Sequence, residues 1–251
     1  MSTSLNPYYL LLGKLERSMA RRQGKGWGAG SVQHELNAAG SLTGKAALNL
    51  AIDVGGNVGN YTAAIRTAHP NAEVHMFEPS QTNIDALAAR FGSDERVTVQ
   101  PFALASSVME ATLFSDKPGS GLGSLTKRRL DHRGNDFDVS ESVKTKVFDH
   151  YWKEVLRSRP IDLLKLDIEG HELDALNGSV EALAHTRVVQ FEFGGCNIDT
   201  RTFFQDFWYF FRERNFDLYR ITPRGVAKID KYRERDEFFS TTNYLALAKD
   251  N

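Results

Sequence analysis

Apolar positions in this chain come as short runs of strand length set between stretches with helical spacing. Residues 49–54 read as a strand, 61–68 as its helix, 73–77 as a second strand and 82–91 as a second helix. The last of these starts near Ser80 or Thr82, either of which suits an N-cap. The alternation continues with strands over 97–101 and 111–115, an extended piece over 144–148 and a helix over 151–157. A buried strand over 161–167 follows, then a helix over 173–184, a strand over 187–193 and an aromatic-rich helix over 202–214. Two runs near the end, 216–222 and 243–248, suit an antiparallel closing pair. Strands alternating with helices predict an α/β fold, a mostly parallel sheet with helices on both faces. Residues 116–142 interrupt the pattern and read as a polar, mobile insert. No internal repeat is found.

The regular pattern occupies 48–251. Residues 1–47 read as an N-terminal helical arm, with a helix over 8–22, a glycine-dense linker over 24–30 and a short helix over 31–40. With 41% hydrophobic and 25% charged residues, the 251-residue chain suits one sizeable α/β domain plus that appendage. The net charge of -1 offers no overall basic field, which argues against a nucleic-acid partner. The arm differs: Tyr8-Tyr9-Leu10-Leu11-Leu12 leads into Lys14, Arg17, Arg21 and Arg22. Such a helix suits acidic lipid, a partner, a homodimer contact or an arm folded over the body. Cys196 is the one cysteine; it excludes an internal disulfide and points to a reducing, cytoplasmic setting, with a packed free thiol. No apolar run is long enough to span a bilayer, and residues 1–7 lack the basic start of a secretory signal.

Chemistry concentrates at two strand tips. The run Leu50-Ala-Ile-Asp-Val54 breaks into Gly55-Gly-Asn-Val-Gly59-Asn60, and the next strand delivers Glu78 ahead of Pro79. Ligands of open α/β sheets bind outside such carboxyl ends. The glycines miss the dinucleotide spacing, and Asp53 stands where a pyrophosphate needs neutral or positive surroundings. A cationic amino-acid tail gains from Asp53, and a ribose diol suits the two oxygens of Glu78. S-adenosylmethionine combines these features. A glycine turn flanked by two surface acids is the plainer alternative.

The second tip is Lys165-Leu-Asp-Ile-Glu-Gly-His-Glu172, and Glu192 closes the following strand. If these strands adjoin the first, Asp53, Asp167 and Glu192 face one crevice and raise one another's pKa. His171 reads either as a general base or as a helix-start histidine bonded to nearby backbone. Asp167 and Glu192 read as catalytic groups or as loop anchors. A divalent metal such as magnesium on Asp167, Glu192 and His171 is a further possibility that no tight ligand spacing supports. The aromatics of 203–211 suit sugar stacking, although their helical period explains most of them as core.

Asp53-Val-Gly-Gly-Asn-Val-Gly-Asn60, Phe77-Glu-Pro79, Lys165 to Glu172 and Phe191-Glu192, in this order, resemble the FkbM-type family of S-adenosylmethionine-dependent methyltransferases. The resemblance spans roughly 49–248. It implies a class I methyltransferase (Rossmann-like) fold, a seven-stranded sheet with one antiparallel strand. It also implies O-methylation of hydroxyls on glycan or glycolipid sugars or natural products. Carried over, Asp53, Gly55, Asn57, Gly59 and Asn60 hold the methionine part of the cofactor, with Asp167 at the neighbouring tip. Glu78 holds the ribose, Ser80 also binds the cofactor, Phe102 and Ala103 border the adenine, and the loop 119–125 covers the cofactor. Two departures stand out: Val147-Phe-Asp149 replaces the family's Leu-Asp pair, and the arm matches no motif. A nicotinamide-dependent oxidoreductase and a non-catalytic cofactor-binding assembly subunit are the rival readings.

Overall fold

The computed structural model describes residues 6–28 and 30–249. The apolar runs become eleven strands: β1 Leu50–Val54, β2 Glu73–Phe77, β3 Val97–Gln100, β4 Ala103–Leu104, β5 Glu110–Ser115, β6 Val139–Lys146, β7 Ile161–Leu166, β8 Thr186–Phe193, β9 Phe216–Thr222, β10 Gly225–Ile229 and β11 Thr242–Ala248. The helices are α1 Pro7–Arg22, α2 Val32–Leu42, α3 Asn60–Ala68, α4 Gln81–Phe91, α5 Phe148–Glu154, α6 Glu172–Asn177, α7 Val180–Leu183, α8 Cys196–Thr200 and α9 Phe204–Arg212.

The main sheet has eight strands in the order β10-β9-β11-β8-β7-β1-β2-β3. Pairing is parallel from β3 through β2, β1 and β7 to β8; β11 runs antiparallel to both β8 and β9, giving the expected closing pair. The expectation of seven strands is corrected by β10, which folds back on β9 as a hairpin edge. Its turn holds Gly225 at φ +117°, a conformation that side chains disfavour. Its residues Val226 to Lys228 are only half-buried or exposed, so its hydrophobic signal is weak.

The mobile insert is corrected too. A second sheet, β4-β6-β5, takes in residues from 139 onward. Ahead of β6, Ser124 pairs with Phe114, while Leu130 and Phe137 are buried. Single apolar residues spaced along a polar segment anchor it without creating a period.

One face of the main sheet carries the larger core, where α5, α6, α7 and α9 pack on β1, β7 and β8. The aromatic helix behaves as core: Phe204, Phe207 and Phe211 are fully buried, and Phe207 stacks on Phe191 with ring centroids 4.9 Å apart. The other face is covered by α2 and α3, with Leu36, Ala38 and Ala39 of α2 beside Ile65, Val74 and Leu163. So α2 shares a core with the sheet, whereas α1 buries Ala20 alone. The glycine-dense segment lies against the body, its Gly28 N–H donating to the Thr241 carbonyl at 2.8 Å.

The expected helix over 173–184 divides into α6 and α7 around Gly178, where a Cβ would stand 2.3 Å from the Ala105 carbonyl oxygen. Asp149 holds the second piece. Its buried carboxylate accepts the N–H groups of Glu181 at 3.0 Å and Ala182 at 2.8 Å, satisfying helix-start donors that have no intrahelical partner. That gives a physical role to one of the two family departures. Asp149→Ala is expected to lower stability by about 1–2 kcal/mol. Urea unfolding would show this as a shifted midpoint at unchanged slope; an unmoved midpoint would contradict it.

Candidate functional site

The polypeptide leaves β1 through the glycine turn. Gly55 sits at φ +79°, and a Cβ there would lie 1.9 Å from the Asp167 carbonyl oxygen. No other residue lets the two strand tips approach so closely. Asn57, also left-handed, donates its backbone N–H to Glu78 Oε2 at 2.8 Å. Glu78 Oε1 accepts from the Ser80 N–H at 3.0 Å and from Asn83 Nδ2 at 3.3 Å. Burial raises the pKa of Glu78, and these donors oppose the rise.

Gly55, Asn57, Glu78, Ser80, Ala103, Asp167 and His171 line one cleft at the carboxyl ends of β1, β2 and β7. Gly119, Ser120, Gly121, Gly123 and Leu125 form another part of its wall. Asp53, Gly59, Asn60 and Phe102 are not in the lining. Asp53 is fully buried, with Oδ1 3.2 Å from Lys165 Nζ and Oδ2 accepting from Thr62 at 2.8 Å. Gly59 begins α3 against Phe91, and Asn60 accepts from Arg90 at 2.9 Å. Phe102 packs edge-on to Phe77 beneath Lys146.

Lys165 was not singled out by the sequence reasoning, although a lysine inside an apolar strand is an audible signal. Its ammonium also lies 3.5 Å from Asp167 Oδ2 and donates to the Gly55 carbonyl at 3.3 Å. Burial works to lower its pKa, but Asp53 and Asp167 outweigh burial and raise it. Glu141 of β6 was also missed; it lines the cleft and accepts from Ser80 Oγ at 2.6 Å and the Gln81 N–H at 3.0 Å. Ser80 therefore stands at the start of α4 without a side-chain cap bond, tied instead to the second sheet.

The turn after β7 is shaped by Glu172. Its buried carboxylate accepts the N–H groups of Ile168 at 2.9 Å and Gly170 at 3.1 Å. Glu169, left-handed, pairs with the buried Arg128. His171 Nε2 lies 3.0 Å from Thr126 Oγ1, and burial lowers the imidazole pKa. Glu192 does not line this cleft; it lies in an adjoining depression with Cys196. The candidate metal set of Asp167, Glu192 and His171 is thus split between two places. Among the described residues, the ligand atoms that gather within 4.8 Å belong to Glu169, Glu192 and the buried Cys196, and Arg128 already occupies Glu169. No helix of the described residues is long and apolar enough to cross a membrane.

The Methyltransferase FkbM domain matches residues 53–218, from the end of β1 into β9. The chain belongs to the FkbM methyltransferase family. Its main sheet, parallel but for the β11 and β10 strands, is the Rossmann-like class I methyltransferase architecture with one extra edge strand. A curated relative, methyltransferase sdnD of Sordaria araneosa, is 28% identical over 152 residues, 51% of this chain and 59% of the relative. This chain thus spans about three fifths of the curated relative it matches. Among solved structures, an O-methyltransferase from Bacillus cereus in complex with SAH is similar over 99% of this chain and 94% of its own, at 10% identity and a TM-score of 0.47. A SAM-dependent O-methyltransferase from Thermotoga maritima is similar over 87% of this chain and 65% of its own, at 13% identity and a TM-score of 0.44.

Three carboxyls of this FkbM chain, Glu35, Glu169 and Glu172, are pushed by burial from 4.5 to about 7. The folded form therefore holds their protons more tightly than the unfolded form. The stability they contribute is complete below about pH 4.5 and is lost as pH rises toward about 7. The melting temperature is expected to fall across that window at constant ionic strength, and Glu35→Gln to flatten the fall. A rising melting temperature over the same window would contradict the assignment.

Proposed function

We propose that this FkbM-family chain is an S-adenosylmethionine-dependent O-methyltransferase acting on a small-molecule or glycan acceptor. The acceptor group is a hydroxyl of a sugar, in a glycan or glycolipid, or of a natural product. The observation that supports this reading is the meeting of Glu78, Asp167 and His171 in one cleft at adjacent strand tips.

The residues fit the cofactor. Glu78 has about four acceptor positions as a carboxylate, and three protein donors leave room for a ribose hydroxyl. Gly55 and Asn57 form the wall beside it, Ala103 and Leu104 the apolar wall, and Asp167 is the half-exposed anion nearest a cationic tail. The buried Asp53 acts on that tail only through Lys165 and the turn they share. Bound there, S-adenosylmethionine supplies an electrophilic methyl group on a sulfonium.

The chain's own work is alignment and proton removal. Alignment replaces a bimolecular encounter with a near-attack pose. A neutral hydroxyl is a weak nucleophile, so a base raises its reactivity. His171 suits that role because burial lowers its pKa and so favours the unprotonated imidazole. In the tautomer whose Nε2–H donates to Thr126 Oγ1, Nδ1 carries the lone pair that takes the hydroxyl proton. The charge of Asp174 favours the resulting imidazolium, and Asp167 faces the cationic tail.

Isothermal titration with S-adenosylmethionine and S-adenosylhomocysteine, with magnesium or EDTA, tests the cofactor assignment. Saturable binding is expected, with Glu78→Ala weakening it about tenfold or more. Absence of binding in every condition would reopen the nicotinamide and non-catalytic readings.

His171→Ala is expected to lower kcat by about 10²–10⁴-fold at unchanged S-adenosylhomocysteine affinity. Full turnover in both His171→Ala and Asp167→Ala would remove the base assignment while leaving the cofactor assignment intact.

A further inference from the structure

The depression that holds Glu192 shares Glu169 with the cleft and gathers residues far apart in the chain. Arg21 comes from α1, Arg128 and Arg133 from the segment ahead of β6, and Gly195 from the turn before α8. Arg128 is buried; it donates through Nη1 to Glu169, and its Nε lies 3.5 Å from Asp199 Oδ2. Its remaining nitrogen faces the glycine. A Cβ on Gly195 would lie 3.9 Å from Arg128 Nη2 and 3.8 Å from Arg133 Nη2. Two guanidinium groups therefore converge on one small space that the missing side chain leaves open.

Among the described residues, the side chains of Arg21 and Arg133 make no hydrogen bond or ion pair, and Arg133 acts on Glu169 only through its charge. Gathered cations repel unless an anion stands among them. The nearby acids do not fill that place. Glu169 and Asp199 belong to Arg128, and Glu192 is held well above the usual carboxylate range by burial, with Asp167, Glu169 and Glu172 adding to the effect. With Glu169 and Asp199 paired to Arg128, Arg21 and Arg133 give the depression its cationic side. The basic character continues along the arm, where Lys14, Arg17 and Arg22 line a groove that shares Arg21 with the depression. Guanidinium groups match carboxylate and phosphate oxygens as planar, two-pronged donors.

We propose that this depression binds an oxyanion, a carboxylate or phosphate group carried by the methyl acceptor, through Arg133 and Arg21, with Gly195 leaving the room. The proposal rests on the methyltransferase reading and narrows it: the acceptor is a hydroxylated acid or a phosphorylated hydroxyl compound, not a neutral one. It also gives the arm a purpose, because Arg21 completes the site from outside the family-matched region.

The test uses the full chain saturated with S-adenosylhomocysteine. Sodium phosphate and sodium malonate are each titrated against sodium chloride at equal ionic strength, and the melting temperature is followed. Phosphate or malonate is expected to raise it saturably where chloride does not. Arg133→Gln and Arg21→Gln are each expected to weaken the apparent affinity about tenfold, while the shift caused by S-adenosylhomocysteine persists. Gly195→Leu is expected to abolish the anion response with every charge in place. A response to phosphate alone assigns a phosphoryl group, and to malonate alone a carboxylate. A response equal to that of chloride, or one unchanged in both arginine variants, overturns the proposal. A chain that S-adenosylhomocysteine itself does not stabilise overturns the methyltransferase reading, and this proposal falls with it.

Discussion

The buried ammonium of Lys165 is the constraint on which the site depends. Strand register sets it beside Asp53 on β1 and Gln190 on β8. A cation out of water is costly unless paired and hydrogen-bonded. Lys165 meets that demand with Asp53, Asp167 and the Gly55 carbonyl, which belong to two different strand-tip turns. One charge thus fixes the separation of both turns. Such a pair adds little net stability over a packed apolar substitute, but removing one partner costs about 3–5 kcal/mol. Its value here lies in position. The same row continues away from the cleft: Tyr61 donates to Gln190 at 2.8 Å, and Gln190 donates to Glu35 of α2 at 2.5 Å. The helix ahead of the family-matched region is thereby joined to the strands that carry the site.

The parallel core was legible because buried strands and their covering helices impose periods on long, uninterrupted stretches. The 73–77 strand is found with the expected bounds. The glycine turn and Glu78 were legible for another reason: left-handed backbone and a strand-end acid restrict the residue types that serve. Lys165 shows the limit. Its apolar neighbours make it look like a strand residue with an exposed end, and only the register reveals the carboxylates waiting for it. Asp53 shows the converse, since a strand-end acid looks the same in sequence whether it faces a ligand or a buried lysine. The segment before β6 was illegible because scattered anchors such as Leu130 and Phe137 have no period. Arg128 was hidden in the same way, since its buried state depends on Glu169 and Asp199, which are distant in sequence.

Burial acts in opposite ways on two of the candidate catalytic groups. A buried imidazole loses its proton, whereas a buried carboxyl keeps one. His171 moves below its ordinary pKa and Glu192 moves well above. Each shift favours the uncharged form, yet the two uncharged forms are not equivalent. The neutral imidazole has a basic nitrogen lone pair, while the protonated carboxyl has only weakly basic oxygens and a hydrogen to donate. Place agrees with protonation, because His171 lines the cleft and Glu192 lines the arginine depression. An acid that donates a hydrogen bond suits a site for an oxyanion, and a base suits the site where a hydroxyl loses its proton. Glu169, shared by both spaces and held by Arg128, stands between the two tasks. On the proposed reading, the arrangement separates recognition of the acceptor's charge from activation of its hydroxyl without separating either from the single turn after β7.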